Sequence, residues 1–528
     1  MSRILGFFRD MVMGYYLGAS IYSDAYFAAF RFPNMFRRIF GEGAFNSAFV
    51  PLFGRSLEEE GHDEAQRFAS NAFSWLVVIL GVGTLVAIPL MRWIMGVFVF
   101  GFLVPEGDGD FKVTWDWVWE MARYPHGTEK FELTVAYGRI MFSYLMCMAL
   151  AAHLSGVLNT LKVFGMPAFA PVLLNIILIA GLTVGIPLMG LQDDLATAGT
   201  LVAWCVFVAG FVQLGVLYVT CLRKGMRIRL MKPRFSPRMN RLAVLMVPGI
   251  LAAGIQQFNL FVGTQIASIQ DKAVSYLYYA DRVYQLPLGM IGIAFGVVLL
   301  PEITRNLRSG DADLAKTKLT RGIEMSMLFT LPATAAMIAI PGPIISVLFQ
   351  RGDQFTAATT VATAAALAAF AIGLPGYVLI KVLQPGYFAR EDTKSPMYIA
   401  AVGVAVNIAM SLALFRSFGH VGIAFATAVS AWVMVLLLAR GLVREAFLSL
   451  KTVRMGRLLR MILASAVMGV VVWWLAQVMS GWLEGSEVMR IVALGALVGI
   501  GVLLYGVLVV VTRAIVVTEV REALRRGK

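Results

Sequence analysis

Runs of about 20 apolar residues, separated by short polar connections, recur from one end of the chain to the other. That pattern predicts helices that each cross a bilayer. Fourteen segments are expected, at roughly 3–18, 24–53, 68–100, 135–160, 166–189, 195–222, 242–266, 273–303, 320–348, 357–384, 395–415, 420–440, 457–480 and 488–513. The expected fold class is therefore an all-α polytopic membrane protein with about 14 transmembrane helices. Composition agrees: 59% of the 528 residues are hydrophobic and the mean hydropathy is +0.77.

The second segment ends Ala44-Phe45…Pro51…Arg55…Leu57…Gly61…Ala65, and the eighth ends Ala294-Phe295…Pro301…Arg305…Leu307…Gly310…Ala315. Ala87-Ile88-Pro89 then recurs as Ala339-Ile340-Pro341. An ordered series of this kind points to two related halves. The expected organisation is an N-terminal six-helix lobe at 1–222, a basic cytoplasmic linker at 223–241, a C-terminal six-helix lobe at 242–440, and two additional helices with a basic tail at 441–528. Both halves begin on the same side, so the repeat is parallel. Transporters built from repeats usually bind their substrate near the midplane.

Charge changes the picture in two ways. The net charge is +14, from 45 Lys and Arg against 31 Asp and Glu, but the basic residues lie in short loops rather than on a soluble domain. They report topology, not nucleic-acid binding. With the N-terminus in the cytoplasm, the loops after segments 6, 8 and 12 and the tail carry the cations. The connections near Gln192–Asp194, Ser268–Lys272 and Ser480–Glu487 hold a single lysine. Both termini are thus expected in the cytoplasm. No cleavable signal pattern precedes the first run. The linker 223–241 reads as a topology determinant and anionic-lipid contact, and Thr518–Lys528 as a short basic surface helix. The insertion 101–134, with Trp115, Trp117 and Trp119, reads as an external interfacial anchor or a partner site.

Cys147, Cys205 and Cys221 lie in apolar segments without metal or disulfide spacing, and His62, His126, His153 and His420 are scattered. No HExxH, Walker or GxSxG pattern is present. No cofactor or metal is expected, and the chain is not expected to be an enzyme.

The second change comes from charges inside the apolar segments. Arg37 and Arg38 stand within FRFPNMFRRIFGEGAFNSAFVP. An arginine at the centre of a membrane helix costs about 2.5–3.5 kcal/mol and usually faces a bundle interior or a water-filled cavity. Two readings stand: an anion-binding site, or local neutralisation by Glu42, four residues beyond Arg38. Arg9 precedes Asp10 in the first segment, and Arg282 follows Asp281 in the eighth. Structural pairing with those acids is one reading, although adjacent helical side chains project apart and make poor partners. Arg3 fits a positive-inside residue and Asp24 a first-turn acid. Guanidinium stays charged when desolvated and binds phosphate through two parallel hydrogen bonds. Arginines from segments 1, 2 and 8 would clamp a diphosphate and repel a hydrophobic cation.

At FPNMFRRIFGEGAFNSAFVP the chain resembles the lipid II flippase family (MurJ/MviN) of the multidrug/oligosaccharidyl-lipid/polysaccharide exporter superfamily. The resemblance continues in SRILGFFRD (2–10), SDAYFAAF (23–30), LNTLKVFGMPAFAPVLLNI (158–176), YYADRVYQLPLG (278–289), FQRGDQFTA (349–357) and KVLQPGYFAREDTKSP (381–396). It implies a fourteen-helix flippase that moves undecaprenyl-diphosphate-linked peptidoglycan precursor to the outer leaflet of the bacterial cytoplasmic membrane by alternating access. By motif match it places substrate-binding roles on Arg9, Arg37 and Arg282. Arg3, Asp10, Asp24, Arg38 and Glu42 match further functional positions. The last two helices would form a groove for the lipid tail. The implied partners are lipid II and membrane lipids, with cell-wall synthesis proteins as candidates.

Two departures follow from the same comparison of motifs. Family members carry a longer stretch before SRxLGFxRD, whereas Met1 directly precedes Ser2; either the start is placed too late or the first helix lacks its cytoplasmic half. Some relatives bind sodium through a carboxylate in segment 7, and Leu242–Ile266 contains none, so sodium coupling is not carried over. The same fold would also serve another polyprenyl-diphosphate-linked polysaccharide precursor. A membrane enzyme acting on that lipid would need an acid, base or metal cluster that the loops do not offer. A scaffold for cell-wall enzymes would depend on the loops rather than on the arginines.

Overall fold

The structure, a computed structural model, describes residues 2–38, 45–103, 127–448 and 454–514, with backbone alone at 2, 36, 37, 47, 251–253, 256, 293, 294 and 297. The expected interfacial tryptophans, Glu42 and the C-terminal basic helix lie outside the described residues. Within them all regular structure is helical, and helix falls on each of the fourteen expected segments. Two compact units divide the chain: Met1–Ser275 with Gly352–Phe355, and Tyr276–Arg351 with Thr356–Lys528.

Unit one begins with α1 (Ser2–Leu17) and α2 (Ile21–Arg37). They are joined at Gly18, whose φ of +56° and whose approach to the Gln354 carbonyl exclude a side chain. Ser20 and Ser23 then cap α2 reciprocally: the Ser23 N–H donates to Ser20 Oγ at 3.3 Å and the Ser20 N–H to Ser23 Oγ at 2.9 Å. Small residues Ala25, Ala28 and Ala29 bury one side of α2. That face packs on α6 (Glu129–Met141), α7 (Ser143–Thr160) and α9 (Leu195–Arg223).

A second core lies between α3 (Phe45–Glu59), α4 (His62–Ala87) and α7. Phe45, Phe49 and Phe53 recur every four residues and stack in sequence, with centroids 5.2 and 5.4 Å apart. Phe68 stacks on Phe49, and the buried His153 ring bonds the Ala69 carbonyl at 3.0 Å. This histidine is a core residue. After the short α5 (Met91–Phe98), the unit is completed by α8 (Gly165–Leu188), which contains a π turn at Gly181–Gly185, and by α10 (Pro237–Ser268). Helix α10, the first segment of the expected C-terminal lobe, packs against α3 and α5 within unit one.

Unit two contains α11 (Ala273–Pro287, from Tyr276 on), a π turn at Leu288–Gly292, and α12 (Ile293–Arg308). There follow α13 (Ala312–Ala339), α14 (Pro341–Phe349), α15 (Ala357–Phe388) and α16 (Lys394–Arg444). Helix α16 reverses at Gly419, where φ 54° and ψ −137° are open only to glycine. Residues 403 and 430 would stand about 40 Å apart on a straight helix; instead Ser430 Oγ donates to the Gly403 carbonyl at 2.7 Å. Segments 11 and 12 are therefore the arms of a helical hairpin. Close approach of α15 to the second arm needs Gly373, where a Cβ would stand 2.7 Å from Ala428 Cα. The last helices, α17 (Met455–Val478), the single turn α18 (Ser480–Leu483) and α19 (Glu487–Val511), pack with α13 around Leu328, Met468 and Leu497.

The sequence repeat reappears in where helices break. In unit one α4 gives way to α5 after Ala87, and in unit two α13 gives way to α14 after Ala339. Among the described residues nine helices are long and apolar enough to cross a membrane, α16 and its two arms counting as one. The four segments not among them are 1, 2, 7 and 8. Arg9, Arg37 and Arg282 all stand on these shorter, interrupted or more polar helices.

Candidate functional site

Helix α1 carries Arg9 and Asp10 into the interior of unit one, where they are 7% and 1% exposed. Arg9 Nε and Nη2 both reach Asp10 Oδ1, at 3.0 and 2.6 Å, and Nη1 donates to Asn175 Oδ1 on α8 at 3.2 Å. The expectation that neighbours on a helix pair poorly is corrected here. The arginine stem is long enough to bring its guanidinium back over the adjacent carboxylate. Gly6, one turn earlier, faces the Asn175 amide on α8, and a Cβ there would meet it at an ordinary contact distance of 3.7 Å. An incoming anion would have to compete with Asp10 for the same guanidinium.

Asp24, in the first turn of α2, is fully buried. Its Oδ1 accepts from the Ser275 N–H at 2.9 Å and the Ser275 hydroxyl at 2.6 Å, and Oδ2 lies 3.5 Å from Lys130 Nζ. Lys130 also pairs with Asp271, and its ammonium stands 4.9 Å from the Phe102 ring centroid. Ser23 Oγ meets Ser275 Oγ at 2.9 Å. This network gives Asp24 a structural task within unit one: it ties α2 to α6 and to the end of the α10–α11 connection. The end of α10 is pinned by Gln265 Nε2 donating to the Val97 carbonyl at 2.5 Å and by the Gly101 N–H donating to Ser268 Oγ at 3.0 Å.

Arg37 closes α2, and its side chain lies outside the described residues. Arg38 is exposed and its backbone N–H caps α2 through the carbonyls of Asn34 and Met35. The pairing expected with Glu42 falls outside the described residues. Arg3 is exposed at the start of α1. In unit two Arg282 is half-buried on α11, its Nη2 donating to Tyr278 Oη at 3.0 Å and its guanidinium carbon 4.6 Å from the Tyr278 ring centroid. An aromatic face holds a cation without neutralising it.

Sequence reasoning missed Lys130, Asn175, Arg31 and Lys381. Arg31, on α2, donates to Thr264 Oγ1 on α10 at 3.1 Å. Lys381 lies within the apolar α15 of unit two, exposed, with its stem against Gly292 in the π turn. It makes no hydrogen bond or ion pair among the described residues. The signal for Asn175 and Lys381 was legible: an isolated polar side chain inside a spanning run is a functional candidate by default.

Nine long apolar helices among the described residues, with shorter helices carrying Arg9, Arg37 and Arg282 and breaks that recur at Ala87 and Ala339, fit a multi-span membrane transporter. The family model described as lipid II flippase MurJ matches residues 13–493, and the chain belongs to that family. A relative from Rhizobium tropici named probable lipid II flippase MurJ is 41% identical, covering 100% of this chain and 95% of its own. The solved structure titled lipid II flippase MurJ, inward closed conformation, superposes with a TM-score of 0.74 at 23% identity, covering 96% of each chain. An inward-facing multidrug resistance MATE family transporter of the MOP superfamily shares the fold at a TM-score of 0.64 and 13% identity, over 84% of this chain and 98% of that one.

Proposed function

We propose that this protein translocates lipid II, the undecaprenyl-diphosphate-linked peptidoglycan precursor, from the inner to the outer leaflet of the cytoplasmic membrane by alternating access. The observation that carries this reading is the family match, which runs through nearly the whole chain. Arg9, Arg37 and Arg282 meet the diphosphate, with Arg3, Arg38 and Lys381 adding positive potential and Asp10 holding the Arg9 guanidinium in place. Asp24 keeps the fold around α2 intact. Both termini face the cytoplasm, a reading supported by the basic loops after segments 6, 8 and 12.

Outward movement of an anionic headgroup and inward return of an empty cationic site both run downhill when the interior is negative. Each charge carried through 100 mV contributes about 2.3 kcal/mol. Complementation of cells depleted of their own lipid II flippase tests the assignment. The parent chain should restore growth, and Arg37→Ala and Arg282→Ala should not. Failure of the parent would remove the cargo assignment; rescue by both variants at the parent's level would remove the arginine clamp.

A further inference from the structure

The linker between α9 and α10 is held in a way its sequence does not announce. Residues 226–235 form no helix or strand and run along one face of the first turns of α4, and their backbone is bonded to α4 side chains. The N–H of Arg227 donates to Gln66 Oε1 at 3.0 Å, that of Arg229 to Ser70 Oγ at 3.1 Å, and that of Met231 to Ser74 Oγ at 2.9 Å. Asn71 grips both polar groups of Arg234, accepting from its N–H at 2.9 Å and donating to its carbonyl at 2.8 Å. Trp75 Nε1 adds a bond to the same carbonyl at 3.3 Å, and its ring lies 4.6 Å from that of Phe235. Gln66, Ser70, Asn71, Ser74 and Trp75 fall at helical spacing, so they form one polar stripe.

Over 226–229 the side chains alternate as in an extended chain, and from Leu230 on Lys232 and Arg234 are exposed without that alternation. Met226 and Ile228 enter the unit-one core, while Arg227 and Arg229 face outward, followed by exposed Lys232 and Arg234. None of these four cations forms a side-chain hydrogen bond or ion pair among the described residues. Arg238, by contrast, is committed to Glu60 and to Ser56. No acid occurs anywhere in 223–241. The nearby acids Asp63 and Glu64 belong to the first turn of α4, about 3–5 Å along the axis from the Gln66 level where Arg227 is held and about 10 Å from the Asn71 level of Arg234, and Glu64 is itself paired with Arg67. Leu230 and Phe235 are 69% and 78% exposed beside the cations. Trp75 and Phe235 meet where the polar turns of α4 give way to its apolar run, the depth at which aromatic rings sit in a membrane interface.

We infer that residues 227–235 form a preorganised docking strap for the headgroups of anionic phospholipids. The α4 stripe fixes the backbone, the four cations meet phosphate, and Leu230 and Phe235 enter the upper acyl region. A flexible linker of the same composition would bear the same charge but would have to be ordered on binding, at an entropic cost this strap has already met. The inference needs the chain to be embedded in a bilayer and does not depend on which lipid it transports.

The test is photolabelling of the full chain in phosphatidylcholine nanodiscs doped with phosphatidylglycerol, using a photoactivatable phosphatidylglycerol and mapping the labelled peptides by mass spectrometry. Label should concentrate on 227–235 and exceed that from a photoactivatable phosphatidylcholine. It should fall by at least about tenfold in the R227Q/R229Q/K232Q/R234Q variant. Asn71→Ala, which keeps every charge, should lower it severalfold while the Arg234 amide exchanges faster. Inorganic phosphate should not displace the label. Equal labelling by the two lipids in the parent, displacement by phosphate, or unchanged labelling in the fourfold variant would overturn the inference; Asn71→Ala labelling like the parent would overturn the preorganisation.

Discussion

The buried cations of unit one and the linker between α9 and α10 are both basic, yet they are built in opposite ways. Arg9 and Lys130 both stand on helices, and their side chains are held by Asp10, Asn175, Asp24 and Asp271. Along the linker the backbone has no helix, so α4 side chains hold it, and the cations are left to solvent. The comparison teaches that what a cation does here depends on which of its parts the fold has already satisfied. Every buried polar group needs a partner. Where the helix supplies the backbone's partner, acids and amides are spent on the charge; where it does not, they are spent on the backbone.

The largest effect that would sharpen this contrast is expected at Asp24. Asp24→Ala leaves Lys130 with Asp271 alone and removes the acceptor of both Ser275 donors, a loss of about 3 kcal/mol. It should appear as a lowered midpoint of denaturant unfolding in detergent. A double cycle with Lys130→Met should show coupling between the two positions, and strict additivity would mean that the 3.5 Å pair contributes nothing. The linker should respond differently. Asn71→Ala removes two hydrogen bonds to Arg234, about 1–2 kcal/mol of local stability, so amide exchange along 227–235 should accelerate while the global midpoint hardly moves. A global shift as large as that of Asp24→Ala would erase the distinction between the two regions.

The smallest effect concerns Asp392, an acid in the loop between α15 and α16 whose side chain holds backbone. Hydrogen bonds from the Ser395 hydroxyl and from the Ser395 N–H, the latter at 3.0 Å, keep its carboxyl below the usual carboxylate range. Its contribution is therefore full above the unfolded carboxylate value of about 3.9 and is lost as the pH falls through the lower folded value. Less than about 1 kcal/mol is at stake for a half-buried group at the surface. Asp392→Asn should flatten the acid limb of a stability profile taken between about pH 5 and pH 2, and an identical limb in the variant would exclude this contribution.

Much of the fold was legible because a bilayer imposes a simple rule on sequence. A span must be apolar for about 20 residues, so the positions of the fourteen segments could be read from hydropathy, including the break at Gly419 that separates segments 11 and 12. Arg9, Asp10 and Arg282 were legible for the same reason, as charges that the rule forbids without cause. Pairing was not legible. The pairing of Asp10 with Arg9 stayed open because helical projection favours three- and four-residue spacing, and that rule omits the length of an arginine side chain. The pairings of Asn175 and Lys130 escaped because their partners lie 166 residues and 106 residues away in the chain.

The sequence by itself determined that this protein is a multi-span helical membrane protein, where its apolar segments lie, and the motifs that place it among the lipid II flippases. These follow from local composition and from runs of residues that need no partner to be recognised. Only the tertiary structure decided that α10 packs within unit one, that Asp24 is consumed by Lys130 and Ser275, and that the basic linker is fixed by the polar stripe of α4. Each of those depends on where distant backbone groups and charges find their partners, and hydrogen-bond satisfaction is settled in space rather than along the chain.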